Sequence, residues 1–243
     1  AAATWRSDAE ALVVDIASLW PDEAGRPHLL GPDSAGLDTR YLAAAASPRL
    51  GGLTFHQYPE CVPPAWGCGL ANASKTCTSY GCRWSSERQI CVWTGELKGT
   101  REEDLRYVLP PDCLAQVPRA AASLAPIAQK AGIPLVAGET AEHAFGGLAG
   151  VTDHFVASFF YTAQLGYLAE AGAAHVARQT LVGGAYALLG RQTSSWQPRS
   201  DFWVAWLFRH LILGKGETAV LAQRAASEQP GVLTFAFCRK SET

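Results

Sequence analysis

The 243-residue sequence is 48% apolar, 17% charged and close to neutral, with a net charge of −2. A chain of this length can bury one substantial core with an appendage. Its charge balance argues against a nucleic-acid partner and supplies no basic run for a membrane surface or a polyanion groove.

Apolar stretches are broken by Gly, Pro or charge well short of a membrane-spanning length. The sequence opens on Ala1, contains no methionine and shows no leader segment, as expected of a processed or partial chain. From Trp5 to Trp20, Ala9, Leu12, Val13, Ile16 and Leu19 recur at helical spacing, and Pro21 stops the run. His28-Leu29-Leu30 reads as a short strand ending in a Gly31-Pro32-Asp33 turn. Asp38 to Ala46 reads as a helix, and Leu50 to Tyr58 as a second strand. Leu114 to Ala131 is a helix, Ile133 to Ala137 a short apolar strand closed by Gly138-Glu139-Thr140, and Phe155 to Ala171 a long helix. Ala174 to Ala177 forms a strand ending at Arg178-Gln179, and Phe202 to Leu213 a further helix. Glu217 to Arg224 and Val232 to Cys238 read as two strands of a hairpin.

Strands alternating with helices predict an α/β fold with a parallel sheet. Asp33, His56 with Tyr58, Glu139, and Arg178 with Gln179 all fall at C-terminal strand ends, where (β/α)8 TIM-barrel enzymes keep their chemistry. No G-x-G-x-x-G follows a strand, which disfavours a dinucleotide-binding sheet. Four strand–helix units make half a barrel, so the expected architecture is strands 5–8 of a TIM barrel with the first strands of an adjoining β-sandwich. The expected domains are residues 1–213, with a cysteine-rich insertion at about 60–113, and residues 214–243. Half a barrel leaves open sheet edges, which a missing N-terminal half would cover.

Six of the seven cysteines lie between Cys61 and Cys113. An even, dense set in a Gly/Pro/Ser-rich stretch without any CxxC pair points to disulfides rather than zinc, with fifteen pairings open. Asn72-Ala73-Ser74 is a glycosylation sequon in the same stretch. A secreted, extracellular or lysosome- or vacuole-like location is the expectation. Peripheral membrane or cell-wall association stays open.

Glu139, at the end of an apolar strand and before the Gly146-Gly147 loop, suits a nucleophile or general acid. A strand-end glutamate can equally cap a turn or pair with arginine. Gly138 permits close backbone approach. His56 and Tyr58, two apart on one strand, would share a face, although a lone histidine is commonly a satisfied core residue. Arg178 and Gln179 point to opposite faces, so a bend is needed for both to reach one site. Tyr186, beyond Gly183-Gly184, could close over a ligand. Phe155, Phe159, Phe160, Tyr161, Trp203 and Trp206 read as helix packing.

The ordered set Ala137-Gly-Glu-Thr-Ala-Glu-His-Ala-Phe-Gly-Gly147, Asp153-His-Phe155, Leu165-Gly166 and Arg178-Gln-Thr-Leu-Val-Gly-Gly184 with Tyr186 resembles glycoside hydrolase family 79, the heparanases and related β-glucuronidases. Gly31-Pro32-Asp33, Thr54-Phe-His-Gln-Tyr58 and Asp201-Phe-Trp203 fit the same order. The resemblance covers roughly residues 5–58 and 114–240. It implies a retaining glycosidase acting on β-linked uronic-acid glycans or proteoglycans, without a cofactor or metal. Glu139 would be the nucleophile, His56 and Tyr58 would line the cleft, Gly146 and Gly147 would offer N–H groups to the uronate, and Gln179 and Tyr186 would complete its recognition. It also implies that the partner of Cys238 lies further toward the C-terminus.

The departure from that pattern concerns the acid. The family's proton donor lies in an Asn-Glu motif, and no Asn-Glu pair occurs here. Glu142 and Glu96 sit at no matching strand end. The expectation is a fragment, inactive alone. The alternative is a catalytically inactive carbohydrate-binding or interaction protein on the same fold.

Overall fold

The computed structural model describes residues 1–34, 38–59, 82–86, 90–93, 111–144, 146–147, 151–192, 194–213, 218–221 and 232–239. The sequon at Asn72, cysteines Cys61, Cys68 and Cys77, and Glu96 lie outside these residues. Cys113 is disulfide-bonded, and Cys238 is an exposed free thiol. Among the described residues no helix is long and apolar enough to cross a membrane, and no group of three His, Cys, Asp or Glu could hold a metal ion. The chain divides into two compact units, Ala1–Gln57 with Gln116–Thr140 and Tyr167–Ala177, and Tyr58–Ala115 with Ala141–Gly166 and Arg178–Thr243.

The first unit holds the sheet that carries Glu139. Helix α1 (Ala2–Leu19) and helix α2 (Thr39–Ala45) precede strand β1 (Leu53–Gln57). Asp38 caps α2, accepting hydrogen bonds from the N–H groups of Arg40 and Tyr41. Helix α4 (Gln116–Ala131) leads into strand β4 (Leu135–Thr140), with the short helix α3 (Pro111–Leu114) before it in the chain. Helix α5 (Phe155–Glu170) leads into β5 (Ala173–Arg178). Gly132 and Gly172, at φ 70° and 79°, turn α4 and α5 toward their strands. At Gly132 the reversal is a Schellman pair, with Ile133 N–H donating to Ala128 O and Gly132 N–H to Gln129 O.

The sheet order is β1-β4-β5. The β1–β4 pair is parallel, Leu53 opposite Leu135 and Phe55 opposite Ala137. Leu53, Phe55, Leu135 and Ala137, which share one face, are buried, and so are Thr54 and Val136 on the other, so both faces of this part of the sheet are covered. The strand expected at His28–Leu30 is reduced to two isolated parallel bridges, Leu30 to Gly52 and Ser34 to Phe55. Pro32 lies between them and has no N–H to give a ladder.

In the second unit three two-stranded antiparallel pairs occur: β2 (Cys82–Ser85) with β3 (Ile90–Trp93), β6 (Leu189–Gln192) with β7 (Ser195–Pro198), and β8 (Thr218–Leu221) with β9 (Ala236–Arg239). The first two were not legible in sequence, because four-residue strands carry too little alternation to be told from loops. The helix expected at 202–213 is α-helical over Ser200–Leu207 (α6) and π-helical over Phe208–Leu213.

The aromatic residues expected to pack divide by helical face. Ala157, Phe160, Tyr161, Gln164 and Leu168 bury one side of α5, while Phe155 and Phe159, four apart on the other side, are 70% and 56% exposed and meet edge to face. Trp203 and Trp206 are also exposed, against the expectation that they pack.

Phe55, in the ladder of the first unit, is the largest fully buried side chain among the described residues of that unit. Phe55→Ala is expected to lower unfolding free energy by about 3–5 kcal/mol, read as a lower denaturant midpoint at unchanged slope.

Candidate active site

The ladder between β1 and β4 slips by one residue between Phe55 and His56. Up to Phe55 the strands pair one to one; beyond it His56 faces Glu139 rather than Gly138, and Gln57 faces Thr140. The slip leaves Gly138 as the extra residue of β4. The slip brings His56 Nδ1 to 3.0 Å from Glu139 Oε2. His56 is 16% exposed at its side chain and Glu139 34%, so the pair is sheltered but open to solvent on one side.

On the other edge of the imidazole, Nε2 lies 2.8 Å from Asp33 Oδ2. That contact is close but off the line of a good hydrogen bond. Asp33 is 61% exposed, so its carboxylate has room to turn onto the ring. A Cβ on Gly138 would come within 2.8 Å of Asp33 Oδ1, so the bare glycine leaves the space in which Asp33 sits. Asp33 was noted in sequence only as a strand-end residue. Its contact with His56 spans 23 positions and has no signal in spacing. Below this group, Gln57 donates from its side chain to Val117 O, and the Thr140 hydroxyl donates to Ala177 O, pinning the strand ends.

Tyr58 lies beyond β1, which ends at Gln57, so the two-residue alternation expected to align it with His56 does not reach it. It is half-buried and belongs to the second unit, as do Gly146, Gly147, Gln179 and Tyr186.

Gly146, Gly147 and Tyr186 come together in that unit. Gly146 O accepts from the N–H groups of Ala185 and Tyr186. A Cβ on Gly147 would collide with Thr152 Oγ1 and lie 2.8 Å from Tyr186 N. Both glycines have positive φ, 95° and 78°, a conformation costly to other residues. The Gly147 N–H already donates to Ala144 O, which limits the substrate role expected of it. Arg199 Nη1 donates to the carbonyls of Gly184 and Ala185, holding the Tyr186 loop from below. Gln179 follows β5 and is half-buried.

Arg178 turns away from the role of a site-lining neighbour of Gln179. Its side chain is 3% exposed, and Nη2 lies 2.6 Å from both Glu142 Oε2 and Asp201 Oδ2. The guanidinium also lies over Tyr161, 4.9 Å from the ring centre. One cation between two buried carboxylates leaves an excess negative charge. Burial accordingly raises Glu142 to about 7, against the attraction of Arg178, and raises Asp201 in the same direction. Burial lowers His143 and pushes Tyr161 up to about 12. Glu142, two residues beyond the end of β4, is held in this cluster.

No family model matches the sequence. The α/β fold with its parallel sheet is similar to that of the GH51 arabinofuranosidase from Xanthomonas axonopodis pv. citri, on which the structure superposes with a TM-score of 0.53, at 11% identity, over 84% of this chain and 39% of that one. The resemblance read from the ordered motifs is borne out among curated proteins. Heparanase-like protein 1 of Arabidopsis thaliana is 39% identical over 90 residues, 37% of this chain. Heparanase-like protein 2 of the same plant is 40% identical over 78 residues, 32% of this chain. The chain spans 15% and 14% of the lengths of these two relatives.

A carboxyl group whose folded-state value is raised binds its proton more tightly in the folded than in the unfolded chain. Its contribution is present below the unfolded value and is lost as pH rises. Glu142 thus predicts stability falling between about pH 4.5 and 7, reinforced by Asp201 and opposed by His143 below its ordinary value of 6.5. Thermal unfolding of Glu142→Gln across that range should show a shallower decline than the parent chain.

Proposed function

We propose that this chain carries the nucleophile side of a retaining glycoside hydrolase acting on β-linked uronic-acid glycans, with Glu139 attacking the anomeric carbon. The supporting observation is the pairing of Glu139 with His56 at the C-terminal end of a parallel strand, in a fold similar to that of the GH51 arabinofuranosidase. The similarity to heparanase-like proteins supports the choice of a glycan substrate. On this reading the segment bridging β1 at Leu30 and Ser34, with β1, β4 and β5, makes strands 5–8 of a barrel, β8 and β9 begin a β-sandwich, and the cysteine-rich stretch is an insertion suited to an oxidising, secretory compartment.

A retaining mechanism needs two carboxyl groups about 5–5.5 Å apart, one attacking and one shuttling the proton. The sequence holds no Asn-Glu pair, and Glu142 is sequestered by Arg178. We therefore assign the proton donor to a carboxyl group outside these 243 residues. Without it, hydrolysis of a glycoside with a poor leaving group falls by about 10²–10⁴. Tyr58, Gly146, Gln179 and Tyr186 are proposed to bind the uronate through neutral donors. Gly147 is proposed for its close backbone approach rather than its N–H.

A 2-deoxy-2-fluoro-glucuronosyl β-fluoride tests the nucleophile without the missing acid. Glu139 Oε attacks C1, the C1–F bond breaks, fluoride leaves with the electron pair, and a glycosyl ester remains because the 2-fluorine slows its hydrolysis. Peptide mass spectrometry should place the ester on Glu139 and find none in Glu139→Gln. Saccharide binding without any ester in the parent chain would overturn the enzyme reading in favour of a binding protein.

A further inference from the structure

We propose that Asp33 is a positioning residue for Glu139, acting through His56, and that Gly138 is glycine to keep its seat open; the proposal rests on Glu139 being the nucleophile.

The imidazole of His56 stands between two carboxylates, with Nδ1 3.0 Å from Glu139 and Nε2 2.8 Å from Asp33. A ring held at one edge only can still swing about its Cβ–Cγ bond. With the Asp33 carboxylate turned onto Nε2, contacts at both edges define its plane, and with it the direction from which Glu139 is held. Orienting an imidazole with a carboxylate is a recurrent device where the partner of that imidazole performs the chemistry. Asp33 reaches the ring from the segment that bridges β1 on the edge away from β4, and its carboxylate ends against Gly138 of β4. There a Cβ would come within 2.8 Å of Asp33 Oδ1 but only 3.6 Å from Thr54 Cβ. The backbone of Gly138 is not in the left-handed region occupied by six other glycines. Alanine is therefore compatible with the local conformation, and the atom it displaces is the end of the Asp33 side chain. Glycine at this position is thus explained by Asp33 rather than by backbone conformation.

Asp33 is too exposed, at 61% of its side chain, for its removal to open a core cavity. Asp33→Ala and Gly138→Ala therefore separate positioning from folding: one deletes the carboxylate, the other leaves it in place but moves it. With the 2-fluoro-glucuronosyl fluoride on the whole chain, the maximal rate of ester formation should fall roughly 10–100-fold in both variants, with half-saturation little changed. Fluoride departs without a proton, so such a loss separates positioning from proton donation by Asp33. In long-range proton–nitrogen spectra of histidine-labelled protein, a His56 Nε2–H protected from exchange is expected in the parent chain. It should be lost in Asp33→Ala and Gly138→Ala and kept in Glu139→Gln.

An ester formed by the parent chain and by Asp33→Ala at equal rates would overturn the proposal while leaving the nucleophile intact. So would an Nε2–H signal that survives Asp33→Ala. No ester in the parent chain would instead overturn the reading of Glu139, and the positioning role with it.

Discussion

A one-residue slip in the parallel ladder between β1 and β4 decides which side chains meet at the end of the sheet. Were the pairing of Phe55 with Ala137 continued without it, His56 would stand beside Gly138, and Glu139 would face Gln57. Because successive residues alternate between faces, a slip of one is the smallest change that exchanges every later partner. It falls where the buried apolar part of the ladder ends. Leu53, Phe55, Leu135 and Ala137 hold the register against helices, and the polar residues beyond them are held by side-chain contacts. The paired imidazole and carboxylate are thus set by the apolar ladder beneath them.

The two units solve the problem of sheltered charge differently. At the end of the sheet, His56 and Glu139 stay partly open to water, which leaves the Glu139 carboxylate reachable. In the second unit Arg178, Glu142 and Asp201 are almost wholly buried, and the removal of three charges from water is opposed only by their mutual attraction. The excess carboxylate takes the penalty, which is why Glu142 moves toward neutral pH. Such a cluster contributes less to stability than to orientation. It joins the end of β5 to the first turn of α6, and Arg178 Nη2 also reaches Tyr186 O.

Glycines mark three different constraints. Gly132 and Gly172 reverse helices into strands through positive φ, and Gly147 combines positive φ with close approach to Tyr186. Gly138, at the slip of the ladder, has no positive φ, and a neighbour occupies the place of its side chain. Sequence alone presents all of them as the same residue.

Periodicity was enough to locate α2, α4, α5 and the strands at residues 53–57 and 135–140, which bury apolar faces, and it also located α1 and the strand at 173–178, although α1 buries only Ala9 and that strand buries no residue. It also placed Glu139 at a strand end, and the order of short motifs pointed to a heparanase-like glycosidase. Partners distant in sequence were not legible. Asp33 meets His56, Arg178 meets Glu142 and Asp201, and Phe155 and Phe159 turn outward, none of which follows from residue type or local spacing. Those contacts depend on strand register and on which elements pack together. Local propensity is set within a few residues of chain, whereas register is decided by the burial of whole faces, so only the tertiary structure could choose the histidine's two carboxylates and the arginine's.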